Sequence, residues 1–204
     1  MDAITNVLFS VANGLLVPVI LLLLLLLLRA LWVVAGFFGE YARHTRQLRW
    51  LKPLLDDSTP FRDEELVLPS VIDTPMLRCL KRLVECRASA VYCERLLANY
   101  EVEAERSLGH ARLLVKMGPM LGLMGTLIPM GPALVGLSGG DLASMAYHMQ
   151  MAFATTVVGL LIAAVGVVTL QVKRCWYARD LNDLEYLYRR LADGEVGRSR
   201  EEVQ

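Results

Sequence analysis

The chain has 204 residues, 55% of them hydrophobic, and its 21 basic residues balance its 21 acidic ones. A mean hydropathy of +0.43 argues against an ordinary soluble protein, and the balanced charge gives no overall field that would attract nucleic acid. We find no secretory cleavage signature, no HExxH motif and no pair of acids inside an apolar segment, so an enzyme is not indicated and no cofactor is expected.

Three apolar segments are long enough to cross a bilayer, which takes roughly 20 residues. The first runs from Val7 to Phe38 and contains Arg29 as its only charge; the second is uncharged over residues 117–138. The third has no Asp, Glu, Lys or Arg between Asp141 and Lys173. The sequence therefore predicts an all-α membrane protein with three transmembrane helices.

The basic residues are segregated along the chain, which predicts the orientation. They lie at Arg29, between Arg43 and Lys116, and from Lys173 onward, whereas the N-terminus and the turn at Ser138 have none. Because cytoplasmic loops carry the excess of Lys and Arg, we expect the N-terminus outside a bacterial-type inner membrane and the C-terminus in the cytoplasm. The expected segments are 1–38 (outer N-terminus and first transmembrane helix), 39–111 (cytoplasmic helical segment), 112–137 (second transmembrane helix), 138–141 (outer turn), 142–172 (third transmembrane helix) and 173–204 (cytoplasmic helical tail).

The cytoplasmic segments show helical patterns on both sides of a proline-containing loop. "EYARHTRQLRW" predicts a helix leaving the membrane, a loop follows over residues 51–73, and Thr74 and Pro75 are typical of an N-cap and a first helical position. A heptad-like series then predicts one long helix that runs directly into the second span, with the seam Met76, Cys79, Leu83, Cys86, Ala90, Cys93, Leu97 and Tyr100. The third helix is expected to continue past Lys173 along the apolar stripe Trp176, Leu181, Leu184, Leu187, Tyr188 and Leu191, and to fray after residue 191.

The cysteines in this seam do not predict a metal site. Cys79, Cys86 and Cys93 repeat every seven residues, which places successive sulfurs about 10 Å apart on a helix. One ion cannot be held across that distance, so these residues are interpreted as small side chains in a helix seam.

The second span contains "GPMLGLMGTLIPMGP", an unusual sequence for a simple anchor. Small residues allow close helix packing in lipid, and Gly118, Gly122 and Gly125 are matched in the third span by Ala152, Thr155, Thr156, Gly159, Ala163 and Gly166. Pro129 and Pro132 cannot donate to carbonyls four residues earlier, so a helix kink is expected there. The freed carbonyls and the threonine hydroxyls fit either a hydrated polar pathway or plain tight packing.

Two stretches resemble a known family. "GPMLGLMGTLIP" (118–129) is similar to the GPLLGLLGTV signature of the MotA/TolQ/ExbB proton channel family, and "MAFATTVVGLLIAAVGVV" (151–168) is similar to its third helix. The resemblance implies a pentameric ring around a dimer of an ExbD/TolR/MotB-like single-span partner with a membrane aspartate. In such a ring we expect the seam from Met76 to Tyr100 to hold the subunits together. It also implies that Thr126 and Thr156, with Thr155 as a weaker candidate, line the ion pathway.

Two departures from the family pattern concern the channel. Met151 stands where ExbB- and TolQ-like members often have a glutamate, and Pro129 and Pro132 interrupt the continuation of the signature.

No carboxylate lies within spans two or three, so an acid that carries a proton has to come from a partner. His148, near the outer end of the third span, has either a role in proton uptake or none. The expected function is an ion-conducting subunit of an inner-membrane motor, and the alternative is a non-conducting scaffold.

Overall fold

The computed structural model describes residues 2–55, 74–85 and 90–201, which form four α-helices. They are α1 (Asp2–Leu55), α2 (Pro75–Glu85), α3 (Ala90–Ser138) and α4 (Leu142–Glu201). The predicted all-α fold class is confirmed for these residues. The start of α2 is also confirmed, because Pro75 is its first residue and the amide of Leu77 donates to Oγ1 of Thr74 (3.4 Å).

Three of the helices are long and apolar enough to cross a membrane, as the sequence predicts. The candidate spans lie within Asn13–Arg49, Ala90–Ser138 and Leu142–Arg190. Each helix is much longer than the roughly 20 residues that a bilayer requires. The chain is therefore a multi-pass membrane protein.

The chain divides into two units by its internal contacts. The first, here called the apolar unit, comprises Met1–Ala35 and Gly109–Gln171. The second, the polar unit, comprises Gly36–Leu108 and Val172–Gln204.

The apolar unit is a bundle of the apolar parts of α1, α3 and α4. Its buried core contains residues from all three helices: Val19, Leu23, Ala30, Leu114, Leu121 and Ile162. Most of the leucine run in α1 remains exposed, as expected of side chains that face lipid.

A tight turn connects α3 to α4. Gly140 has a φ of 78°, and two backbone bonds close the end of α3: the amide of Asp141 donates to the carbonyl of Gly136 (2.8 Å) and that of Gly140 to Leu137 (3.1 Å). This is the Schellman arrangement that favours glycine at the left-handed position. Asp141 then caps α4 by accepting a bond from the amide of Ser144 (3.0 Å).

The same turn contains the spacing of a hydrolase nucleophile motif, with Ser138 between Gly136 and Gly140. That motif requires a strand-to-helix turn that exposes the serine. Ser138 instead ends a helix, and its hydroxyl donates to the carbonyl of Val135 (2.8 Å). The serine therefore acts as a helix-end residue.

The polar unit has its own core, and this core corrects the predicted long helix. Sγ of Cys79 lies 3.8 Å from the carbonyl oxygen of Leu96, yet on one continuous helix these positions would be about 25 Å apart. The helices α2 and α3 are therefore separate and pack against each other. The reason is that α2 buries its apolar side chains in a cluster with α1, α3 and α4: Leu51, Met76, Leu77, Cys79, Leu80, Leu83, Cys93, Leu96, Tyr100, Leu184 and Leu187.

The predicted oligomer seam is wrong for the same reason. Met76, Cys79, Leu83, Cys93 and Tyr100 are buried within one subunit, so they are not available to join subunits. Cys86 lies outside the described residues.

The ends of α1 and α4 also differ from the prediction. Residues 51–55, expected to begin the loop, form the last turn of α1, where Leu51 is fully buried. The rest of that loop lies outside the described residues. The helix α4 continues past Lys173, as predicted, and reaches Glu201, beyond the point where fraying was expected.

Candidate functional site

The glycines of α3 bring its backbone into direct contact with α4. A methyl group added at Gly118 would lie 2.7 Å from the carbonyl oxygen of Gly159, and one added at Gly159 would lie 2.7 Å from the carbonyl oxygen of Gly118. The same addition at Gly122 would reach the Cα of Gly159 at 3.4 Å. These residues form the contact here called the α3–α4 seam.

The seam continues in both directions with other small residues. A methyl group at Gly125 would lie 2.7 Å from both Cβ and Oγ1 of Thr155, and one at Gly118 would lie 3.1 Å from the backbone nitrogen of Ala163. At Gly166 it would lie 2.9 Å from the backbone nitrogen of Val115. Since helices in lipid associate largely through such close packing, the seam fixes α3 against α4.

The three threonines of interest differ in their surroundings. Thr155 is buried, with 8% of its surface exposed, because it fills the space left by Gly125. Thr126 and Thr156 are only partly buried. Every one of the three hydroxyls donates to a carbonyl of its own helix: Thr126 to Leu123 (2.7 Å), Thr155 to Ala152 (2.9 Å) and Thr156 to Ala152 (3.2 Å).

Thr126 and Thr156 lie on the side of the seam opposite to α1. The core with α1 is formed by Leu121 of α3 and Ile162 of α4. At about 100° per residue, Leu121 and Thr126 fall on opposite sides of Gly122, and Ile162 and Thr156 fall on opposite sides of Gly159. The two partly exposed hydroxyls therefore share one face of the α3–α4 pair.

That face is otherwise apolar and uncovered. Leu123, Leu127, Phe153 and Leu160 lie on it by the same helical geometry, and each is more than half exposed. Within the described residues nothing packs over it, so in a membrane it contacts lipid or another chain.

The remaining predicted site residues lie at the ends of the seam. Pro129 is fully buried and Pro132 partly buried, both inside the helix α3. His148 is seven residues before Thr155 and so lies on the seam side of α4. Its Nδ1 is buried and has no hydrogen-bond partner among the described residues, and its ring contacts Tyr147 at a centroid distance of 5.6 Å.

Sequence reasoning missed a buried polar cluster in the polar unit. Asp180 is 4% exposed; it accepts bonds from Nε2 of Gln47 (3.2 Å) and the hydroxyl of Tyr100 (3.1 Å), and Nε2 of His44 lies 3.4 Å from it. The sequence contains one indication of this cluster. His44 and Gln47 are three residues apart on α1, as are Tyr177 and Asp180 on α4, so each pair forms a polar face on its helix.

Apart from the imidazole of His148, the described residues of the seam include no acidic or basic side chain. Threonine hydroxyls can donate and accept hydrogen bonds but remain protonated. No cluster of three or more potential metal ligands occurs in the part of the chain that the structure describes. The seam can order water or contact a neighbouring helix, whereas binding and releasing a proton requires a different group.

Comparison with known proteins identifies one family. Residues 74–185 match the family model of the MotA/TolQ/ExbB proton channel family, which covers α2, α3 and most of α4, including the whole seam. No curated protein and no solved structure matches significantly.

Proposed function

Because the chain belongs to the MotA/TolQ/ExbB proton channel family, we propose that it is the ion-conducting subunit of an inner-membrane motor driven by the proton motive force. Five copies form a ring around a dimer of an ExbD/TolR/MotB-like single-span partner. The N-terminus lies outside and the polar unit lies in the cytoplasm. Ion flow moves the partner, which performs energised transport or envelope work.

The observation that carries this proposal is the shared face of Thr126 and Thr156. This face is opposite to α1, apolar around the two hydroxyls, and uncovered in the single subunit. A ring with α1 at its periphery turns this face inward, where the hydroxyls contact the partner helices. Thr155 is buried against Gly125, so its role in the proposal is packing rather than ion passage.

A partner is required because the seam supplies no carboxylate. A proton that crosses 100 mV releases about 2.3 kcal/mol, and a titrating group has to bind and release it for this energy to drive motion. In the proposal the partner's membrane aspartate is this group. The two threonines either order water or donate hydrogen bonds to this aspartate as the partner moves.

The test is proton flux through the complex purified from native membranes with its partner and reconstituted into liposomes. Thr126→Val and Thr156→Val keep the side-chain shape and remove only the hydroxyl, so assembly stays intact and flux falls at least about tenfold, as expected when one essential hydrogen bond is lost. Thr45→Val is the matched control, because the Thr45 hydroxyl also donates to its own helix (Tyr41 carbonyl, 2.9 Å) and its side chain is exposed on α1. Wild-type flux in both channel variants would contradict the assignment.

A specific observation favours the second candidate, a non-conducting scaffold. All three hydroxyls already bond to their own helices, as plain packing residues do. Native mass spectrometry of the purified protein separates the two functions: the motor gives five copies with two copies of a single-span protein that has a membrane Asp. A scaffold gives no such partner and no voltage-driven flux.

A further inference from the structure

One side chain in the apolar stretches of the bundle titrates near neutral pH. A single Asp, Glu, Lys, Arg or His residue occurs in the three stretches 3–28, 117–138 and 142–172. This residue is His148, seven positions after Asp141 and seven before Thr155, or about 10.5 Å along the helix from each. His148 therefore lies midway between the outer turn and the level of the threonines.

His148 lies on the side of α4 that packs against α3. It begins a series with three- and four-residue spacing that continues with Ala152, Thr155 and Gly159, all buried. Its Nδ1 is buried and has no hydrogen-bond partner among the described residues, although the side chain as a whole is only partly buried. The imidazole therefore extends from the packed seam to the surface of the bundle.

The contacts between α3 and α4 show which part of α3 lies opposite His148. A methyl group at Gly136 would lie 3.4 Å from the backbone nitrogen of Met145, and one at Gly125 would lie 2.7 Å from Oγ1 of Thr155. Position 148 falls between these two contacts. His148 therefore faces the stretch of α3 between Gly125 and Gly136.

This stretch contains two prolines that leave backbone oxygens without their usual donors. Pro129 and Pro132 have no amide hydrogen, so the carbonyls of Gly125 and Ile128 lack the donor four residues later. Pro129 is fully buried, which places this part of α3 in the interior of the bundle. Two carbonyl acceptors and one imidazole nitrogen thus occur in the outer half of the seam. They provide the two to four polar partners that a bound water requires.

Packing alone does not account for this histidine. Buried polar groups of folded proteins are nearly always paired, and an unpaired one costs free energy. A leucine at this position would fill space without that cost. What an imidazole adds to packing is a proton that binds and leaves near neutral pH.

From this placement we propose that His148 takes up protons from the outer solution and passes them toward the partner's aspartate at the level of Thr126 and Thr156. This role rests on the proposed channel function and names the residue by which protons enter. Because His148 is fixed in the ring, it does not replace the aspartate, which moves with the partner.

The proton transfer balances at each step. Because Nδ1 is the buried nitrogen, Nε2 accepts the proton from a hydronium ion at the outer side, which leaves water and an imidazolium. The imidazolium gives its Nδ1 proton to water in the seam, and this water passes a proton to the carboxylate. The carboxylate becomes neutral, and the imidazole is neutral again in its other tautomer. It returns to the first tautomer by exchanging its proton with water.

The experiment measures proton flux through the complex purified with its partner and reconstituted into liposomes. A potassium gradient with valinomycin sets the voltage, and the pH is equal on both sides and varied from pH 5 to pH 8, the range in which imidazoles titrate. The variant is His148→Gln, which keeps a polar side chain that does not titrate. The matched control is His110→Gln, because His110 is exposed on α3 outside the apolar stretches. Native mass spectrometry checks that each variant assembles.

We expect wild-type flux to rise as the pH falls and to reach a plateau once the imidazole is protonated. Flux at pH 7 is at least about tenfold lower in His148→Gln, because a positioned acid–base group accelerates proton transfer by roughly a hundredfold or more. The plateau is also lost, because the variant collects protons in proportion to their concentration. His110→Gln behaves as the wild type.

Wild-type flux in His148→Gln, or reduced flux with an unchanged pH profile, overturns the proposal, since the second result is that of a purely structural residue. A wild-type flux that stays proportional to the proton concentration down to pH 5 overturns it without any variant. A wild-type complex that conducts no protons contradicts the channel function itself, and the role of His148 with it. The two failures are therefore distinguishable.

Discussion

Gly159 shows how single atoms determine the packing of the seam. A methyl group there meets backbone atoms of Gly118 and Gly122 at 2.7 and 2.9 Å, and backbone atoms cannot move aside as a flexible side chain can. The spacing of the glycines was visible in the sequence. What the sequence could not show is that Thr155 fills the space beside Gly125 while Thr156 does not, because adjacent residues point about 100° apart and the contacts of the folded helices decide between them.

We predict that Gly159→Ala destabilises the protein by about 1–3 kcal/mol, the usual cost of overpacking. The measurement is thermal unfolding in detergent, followed by circular dichroism. Gly109→Ala is the control on α3: a methyl group there meets nothing within 4 Å, and alanine favours a helix over glycine by about 1 kcal/mol, so this variant unfolds at the same or a higher temperature. A Gly159→Ala protein as stable as the wild type would contradict the close backbone packing of the seam at Gly159.

The cysteines are expected to differ in reactivity. Burial raises the pKa of the Cys79 thiol from 9.0 to about 11, which reduces its thiolate fraction at pH 8 about a hundredfold. Cys175 is exposed. Alkylation at each site, measured by mass spectrometry, should be complete at Cys175 while Cys79 remains unmodified until the protein is denatured. Equal alkylation rates at Cys79 and Cys175 in the folded protein would contradict the buried position of Cys79.

At the scale of elements, α2 is where sequence reasoning failed. A heptad-like series of apolar residues describes a face of a helix but not the partner of that face. The series from Met76 to Tyr100 fits one long helix and also fits two shorter helices that pack against each other. The contact between Cys79 and Leu96 distinguishes them, because it joins residues that are far apart on a continuous helix.

The docking of α2 gives a prediction about stability. Leu80 is 1% exposed in the core of the polar unit, so Leu80→Ala should cost about 2–5 kcal/mol, as is usual for buried leucines. The adjacent Lys81 is exposed, and Lys81→Ala should have no measurable effect. Both are compared by urea unfolding of the purified protein. If Leu80→Ala is as stable as Lys81→Ala, α2 does not dock in this way.

At the scale of the whole molecule, Asp180 joins several helices of the polar unit. Its carboxylate accepts bonds from α1 and α3 while its backbone belongs to α4. The sequence could predict three spans, because length and hydropathy are properties of single segments. It could not predict this cluster, because a polar face on one helix does not show which other helix it meets.

Asp180→Ala should destabilise the polar unit by about 3 kcal/mol, because it leaves the buried Tyr100 hydroxyl without its acceptor and Nε2 of Gln47 with only Sδ of Met76. Glu185→Ala is the control on the same helix, since Glu185 is exposed and its ion pair among the described residues is a long one with Arg189 (3.9 Å). Hydrogen exchange of the amides in α2 is the local measurement. Unchanged protection of α2 in Asp180→Ala would show that the cluster does not stabilise this unit.

The bond between Gln47 and Asp180 joins positions 133 apart, and this has a consequence for biosynthesis. Chains are made from the N-terminus, so α1 and α2 leave the ribosome long before α4. Until the last span has been inserted, Leu51, Met76 and Leu80 have no completed core to enter. The nascent chain therefore exposes these apolar side chains to chaperones and proteases, and translation that stops before residue 173 yields a product that is readily degraded.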